Sequence, residues 1–153
     1  MITLKIGDKA PGFELPNGNG KKVRLSNFKN KKIILYFYPK DDTPGCTKEA
    51  CDFRDGFDDF KNMSIEVIGI SNDNQQSHEK FAEKYNLQFT LLSDADKVVS
   101  KKYGVYELKT FMGKRYYGIV RSTFIIDKGK IKNIFYKVNP ESHIAEIKEV
   151  LKF

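Results

Sequence analysis

The chain has 153 residues, with 27 Lys and Arg against 20 Asp and Glu, and a net charge of +7. That length suits one domain, 1–153, able to bury about two-thirds of its unfolded surface, and a hydrophobic share of 40% is ordinary for a globular chain. The longest strictly apolar run, 33–38, falls far short of the roughly 20 residues of a spanning helix, and the first residues lack the apolar stretch of a secretion signal, so a cytoplasmic location and no membrane partner are expected.

The first elements are loop and short strands around the Asn- and Gly-rich turn "PNGNGKK" at 16–22. "KKIILYFYP" at 31–39 is a continuous β-branched and aromatic run ended by Pro39, the pattern of a central strand buried on both faces. A helix follows over 46–61, then a second buried strand at 64–71. "QQSHEKFAEKYN" at 75–86 has helical spacing, with Phe81 and Tyr85 one turn apart. A short strand at 89–94 and a short helix at 95–104, closed by Gly104, come next. Strands at 115–127 and 130–138 flank the hairpin turn "DKGK". Asn139 caps a last helix with Pro140 in its first position and Ile144, Ile147 and Leu151 on its buried face. Strands alternating with helices, then a hairpin and a closing helix, predict a three-layer α/β domain.

Lysines are spread along the chain, and arginine occurs only at Arg24, Arg54, Arg115 and Arg121. That is a solvated surface rather than a nucleic-acid footprint, so no nucleic-acid partner is expected. His78 and His143, the only histidines, lack ligand spacing to the cysteines and read as solvated helical residues, so no metal and no cofactor are expected.

Both cysteines lie in "YPKDDTPGCTKEACDF" at 38–53. Two thiols in a cytosolic chain do not make a disulfide scaffold, and their spacing is not a CxxC pair. Thr43 reads as a helix N-cap, with Pro44 at the first helical position, then Gly45 and Cys46 in the first turn. At about 100° per residue, Ala50, Phe53, Phe57 and Phe60 fall within roughly 40° of Cys46, while Cys51 lies about 140° away on the wetter side. Cys46 therefore faces the protein at a helix N-terminus, where free N–H groups favour a thiolate. The same placement suits an inert buried thiol. Five residues along a helix separate Cα atoms by about 8–9 Å, beyond the roughly 7 Å limit for a disulfide, so a Cys46–Cys51 bridge requires unwinding. Arg121 is the one charge in the apolar segment 116–126. It needs an anion if buried, either a Cys46 thiolate or Glu49, or else it faces solvent on an edge strand.

These motifs together resemble a peroxiredoxin of the peroxiredoxin Q, or bacterioferritin comigratory protein, group. Pro39, Thr43 and Cys46 stand at that family's Pro-x-x-x-Thr-x-x-Cys spacing, "GCTKEAC" places Glu49 and Cys51, and "RSTFIID" supplies Arg121. The resemblance implies a thioredoxin-like fold with a central mixed sheet and flanking helices. It implies a thiol peroxidase reducing hydrogen peroxide and organic hydroperoxides. Cys46 would be the nucleophile that becomes a sulfenic acid. Cys51 would be the resolving thiol of an intramolecular disulfide, and thioredoxin or a similar dithiol the reductant. Pro39, Thr43, Gly45 and Arg121 would form the peroxide site, with Glu49 orienting Arg121. A monomer is expected, since no second subunit has to supply a sulfur. The alternative reading is a protein disulfide oxidoreductase of the same fold.

Overall fold

The computed structural model describes residues 2–152. A small antiparallel ribbon, β1 (Glu14–Pro16) with β2 (Lys22–Arg24), brackets the Asn/Gly turn. β3 (Lys32–Phe37) runs through the middle of the molecule because its side chains are apolar on both faces. Ile33, Leu35 and Phe37 enter one core and Ile34 and Tyr36 the other, as the strand period of two requires. β4 (Ile65–Ser71) lies parallel to β3, and β5 (Thr90–Ser93) parallel to β4. On the other side β8 (Ser122–Asp127) and β9 (Lys130–Tyr136) add antiparallel, giving the order β5-β4-β3-β8-β9.

Parallel neighbours need crossovers, and helices supply them. α1 (Pro44–Asp55) and α2 (Phe57–Asn62) join β3 to β4, and α3 (Gln75–Tyr85) joins β4 to β5. Together with α5 (His143–Val150) they cover one face of the sheet through Ala50, Phe53, Phe60, Phe81 and Ile147. The opposite face is covered by α4 (Val98–Lys102) and by Ala10, Phe13 and Leu15 of the amino-terminal segment. The result is the three-layer mixed-sheet architecture.

Three boundaries differ from the sequence pattern. The helix expected over 46–61 breaks at Gly56 (φ −92°, ψ 5°), which ends α1 and lets α2 turn Phe60 into the core. The strand expected over 115–127 is two strands. Met112 and Gly113, at φ 51° and 78°, make a two-residue turn that pairs β7 (Lys114–Ile119) back onto β6 (Tyr106–Phe111) in a separate ribbon. The chain then crosses to the main sheet at Val120 and Arg121, where the Val120 N–H donates to Val105 and the Arg121 carbonyl accepts from Val138. Arg121 thus stands at the joint before β8, not inside a strand. The last helix starts at His143 rather than at Pro140, because Asn139 instead closes a turn over 139–142.

α1 is strapped at both ends to the close of α3. Ahead of it Asp42, at φ 56°, accepts from Lys84 Nζ and from the Tyr85 hydroxyl, each at 2.7 Å. Behind it Arg54 donates to the Tyr85 carbonyl at 2.9 Å, and Gln88 donates to the Arg54 carbonyl.

Gly69 of β4 has a plain steric reason. A Cβ there would stand 2.9 Å from the Tyr36 ring and 3.0 Å from Leu91. Gly69→Ala is expected to destabilise the fold by about 1–3 kcal/mol by pushing Tyr36 off its seat against Phe53. Denaturant midpoints measure this, and an unchanged midpoint would show that the ring yields freely.

Candidate active site

The Cys46 site forms where β3 gives way to α1. Pro39 follows the strand, and Thr43 with extended backbone (φ −102°, ψ 156°) starts the helix, its carbonyl accepting from Thr47 N–H at 2.8 Å. Its side chain makes no cap hydrogen bond. The hydroxyl instead donates to the Lys40 carbonyl at 2.8 Å, which leaves its lone pairs as acceptors. Cys46 sits in the first turn and is 2% exposed, packed with Tyr36, Ala50 and Phe53. Cys51 is half-buried, and both thiols are free. Both lie within one continuous helix, so a bond between them requires that helix to open.

Arg121 holds the site together. Its Nη2 donates to Cys46 Sγ at 3.3 Å and its Nη1 to Glu49 Oε1 at 2.7 Å. One planar fork thus bridges two groups on successive turns of α1, which a lysine cannot do. Gly45 makes room for it: a Cβ at that position would lie 3.1 Å from Nη2 and 3.3 Å from Pro140 Cγ. Gly45 therefore acts here by steric clearance, and it is not among the residues lining the adjoining cavity.

That cavity, of about 370 Å³, is lined by Pro39, Thr43, Cys46 and Arg121 together with further walls. Tyr106, Lys109, Tyr116 and Tyr117 come from the β6–β7 ribbon, and Lys40, Asn72 and Lys97 complete the mouth. Lys109 Nζ donates to the Ile119 carbonyl at 2.9 Å. Burial, together with the Arg121 charge, holds its ammonium below the ordinary lysine range, while Cys46 acts in the opposite sense.

Tyr36 hydroxyl, Glu49 Oε2 and His143 Nδ1 are buried and have no hydrogen-bond partner among the described residues. Burial raises the Glu49 carboxyl to about 7 against the pull of Arg121. Burial also lowers His143 to about 4, with Arg121 adding to the shift, so its ring is neutral near pH 7. The two histidines are not solvated helical residues. His143 Nε2 lies 2.6 Å from Thr123 Oγ1, and His78 lies between Asp41 Oδ2 (2.7 Å) and the Leu92 carbonyl (2.9 Å). Asp41 also accepts from the Tyr38 and Ser77 hydroxyls, and its N–H donates to Asp73. Asp41, Asp73 and His78 bring possible ligand atoms within 4.8 Å of one another, but each is already engaged in this network, which pins the segment leading into α1.

Glu49 rides on the stretch between the two cysteines, so its ionisation is linked to the winding of α1. Buried, it titrates near 7; exposed, near the ordinary 4.5. The unwound form therefore ionises first as pH rises from 4.5. The wound helix loses relative stability across the window from about 4.5 to about 7, by about 3 kcal/mol at most. Amide exchange along reduced α1, corrected for the intrinsic rate, is expected to lose protection between pH 5 and pH 7.5, and Glu49→Gln to abolish that change. Identical pH dependence in both proteins would remove Glu49 as the cause.

The model of the AhpC/TSA family matches residues 6–134. The chain is 49% identical over 152 residues to peroxiredoxin Bcp of Bacillus subtilis, covering 99% of this chain and 97% of that one. Among solved structures it is similar to a cysteine-to-serine mutant of PrxQ from Xylella fastidiosa, with TM-score 0.93, 32% identity and coverage of 99% and 98%. It is also similar to the bacterioferritin comigratory protein of Xanthomonas campestris, described for its alkyl peroxide reduction, with TM-score 0.89, 30% identity and the same coverage. A buried cysteine under an arginine fork, on this mixed sheet and with these relatives, places the chain in the AhpC/TSA family, among the Bcp peroxiredoxins, which are thiol-dependent peroxidases.

Proposed function

We propose that Cys46 is the peroxidatic nucleophile and Cys51 its resolving partner, in a single-domain monomer that works in the cytoplasm on hydrogen peroxide and organic hydroperoxides. The observation that carries this reading is the Arg121 fork, which donates to the Cys46 sulfur from the wall of a cavity that Cys46 and Thr43 share. The Cys46 thiolate attacks the terminal oxygen of R–O–O–H. The S–O bond forms, the O–O bond breaks, and the alkoxide or hydroxide leaves and takes a proton, so Cys46 becomes a sulfenic acid while the peroxide is reduced to ROH. Thr43 accepts the hydroperoxide O–H, Arg121 stabilises charge on the departing oxygen, and Pro39 shields the sulfur from bulk water. α1 then opens, the Cys51 sulfur displaces the sulfenic oxygen as water, and an S–S bond forms. Thioredoxin or a similar dithiol reduces that bond by exchange.

Three tyrosines in the cavity wall support organic hydroperoxides as well as hydrogen peroxide. The deciding experiment follows oxidation of reduced thioredoxin driven by peroxide, or by a protein disulfide as the competing oxidant. Peroxide-driven turnover that Cys46→Ser abolishes is the expected result. Turnover by protein disulfides alone would replace the peroxidase with a disulfide oxidoreductase.

A further inference from the structure

Among the described residues, the β6–β7 ribbon pairs with no third strand. Ribbons of that kind are marginal in water, and this one places its two most exposed apolar side chains at its far end. Phe111 is 65% exposed and Met112, in the turn, 85%. Lys114 and Arg115 follow them, exposed, and then Tyr116 and Tyr117, also exposed. From Leu108 to Ile126 the chain has no Asp or Glu. Beyond its base the ribbon is thus purely cationic, with an apolar apex and tyrosines behind it.

We propose that this ribbon docks the protein onto an anionic lipid bilayer surface, with Phe111 and Met112 entering the interfacial layer and Lys114 and Arg115 meeting headgroup phosphates. The order of residues from the apex matches the order of chemistry across a leaflet: apolar groups deepest, cations at the phosphates, tyrosines at the headgroup level. Buried apolar area and attraction to anionic lipids add in interfacial binding, and this apex supplies both. A second copy fits poorly, since it would set the same acid-free ribbon of a chain with net charge +7 against itself. A folded partner fits less well than a bilayer. A standard protein interface takes about 800 Å² from each side, and a two-stranded apex offers only a few side chains. The absence of a spanning run, behind the expectation of no membrane partner, does not bear on attachment from one side. Tyr106, Lys109, Tyr116 and Tyr117 of the same ribbon wall the Cys46 cavity, so docking lays the cavity mouth beside the bilayer. That consequence rests on the peroxidase reading; the docking itself does not.

The chain contains no tryptophan, which makes Phe111→Trp a single fluorescent reporter. With vesicles of phosphatidylcholine and phosphatidylglycerol, the indole emission of F111W is expected to shift to the blue and to resist acrylamide quenching. Added salt should reverse both effects, and phosphatidylcholine alone should produce neither. In that background the pair Lys114→Glu and Arg115→Glu is expected to weaken vesicle affinity at least about tenfold, and Met112→Ser to weaken it less. Unchanged reduction of hydrogen peroxide in solution shows that each variant is folded. No spectral shift with anionic vesicles at low salt would overturn the proposal. So would binding that ignores the charge reversal, because the attachment would then lie elsewhere on the surface. A shift given by soluble polyglutamate and not by vesicles would transfer the ribbon to an acidic protein partner.

Discussion

Arg121→Ala is expected to slow the reaction of Cys46 with peroxide about 10²- to 10³-fold, the usual cost of removing one donor to developing negative charge. Raising the pH should not recover the loss. A generic thiol moved from a pKa of about 8.5 to about 6 gains roughly 30-fold in thiolate at pH 7. It loses roughly 13-fold in intrinsic nucleophilicity, so ionisation alone is worth only about twofold. The larger share must come from donors that meet the leaving oxygen, and Arg121 is the cation that already touches the sulfur. The substitution also strips Glu49 Oε1 of its partner inside the core, and a loss of stability of about 1–3 kcal/mol should accompany the rate effect. Arg121→Lys keeps the charge but cannot hold both partners, and should recover only part of the rate. Single-turnover rates against pH decide the matter. Full recovery of the alanine variant at high pH would mean that Arg121 acts on ionisation alone.

Cys51→Ser is expected to abolish dithiol-coupled turnover while leaving one reaction with peroxide intact. Cys46 lies under Arg121 at the cavity, and Cys51 is not among the residues that line it. After one equivalent of peroxide, mass spectrometry should show the gain of a single oxygen on Cys46. Excess peroxide should add a second oxygen, because no thiol removes the sulfenic acid. Sustained turnover by this variant would show that the external dithiol reduces the sulfenic acid directly, and the resolving role of Cys51 would fall.

The central sheet is legible because its strands are buried on both faces, which leaves continuous runs such as 32–38 and 64–71. The inward phase of Cys46 is legible for a similar reason, since α1 carries its apolar stripe in one helical register. Turn chemistry explains one failure. The hairpin at Lys128–Gly129 shows itself through glycine between charged residues, whereas the same left-handed pair at Met112–Gly113 uses methionine, a poor occupant of positive φ. The run at 116–119 then looks continuous with β8, which hides the pairing of the ribbon. The histidines fail for another reason. Their burial depends on partners far along the chain, Asp41 at a separation of 37 residues and Thr123 at 20, and local periodicity carries no trace of those meetings.

The double attachment of α1 to Tyr85 bears on how the oxidised state is reached and left. If both fastenings hold while the helix between them melts, the freed stretch is a short loop with fixed ends. Its two ends never separate, so the entropy gained on melting is small and the route back is short. A reductant that cleaves the disulfide releases a coil whose start and finish already stand one helix length apart, and rewinding needs no search across the surface. Loosening Tyr85 should leave the first chemical step alone and slow the return to readiness.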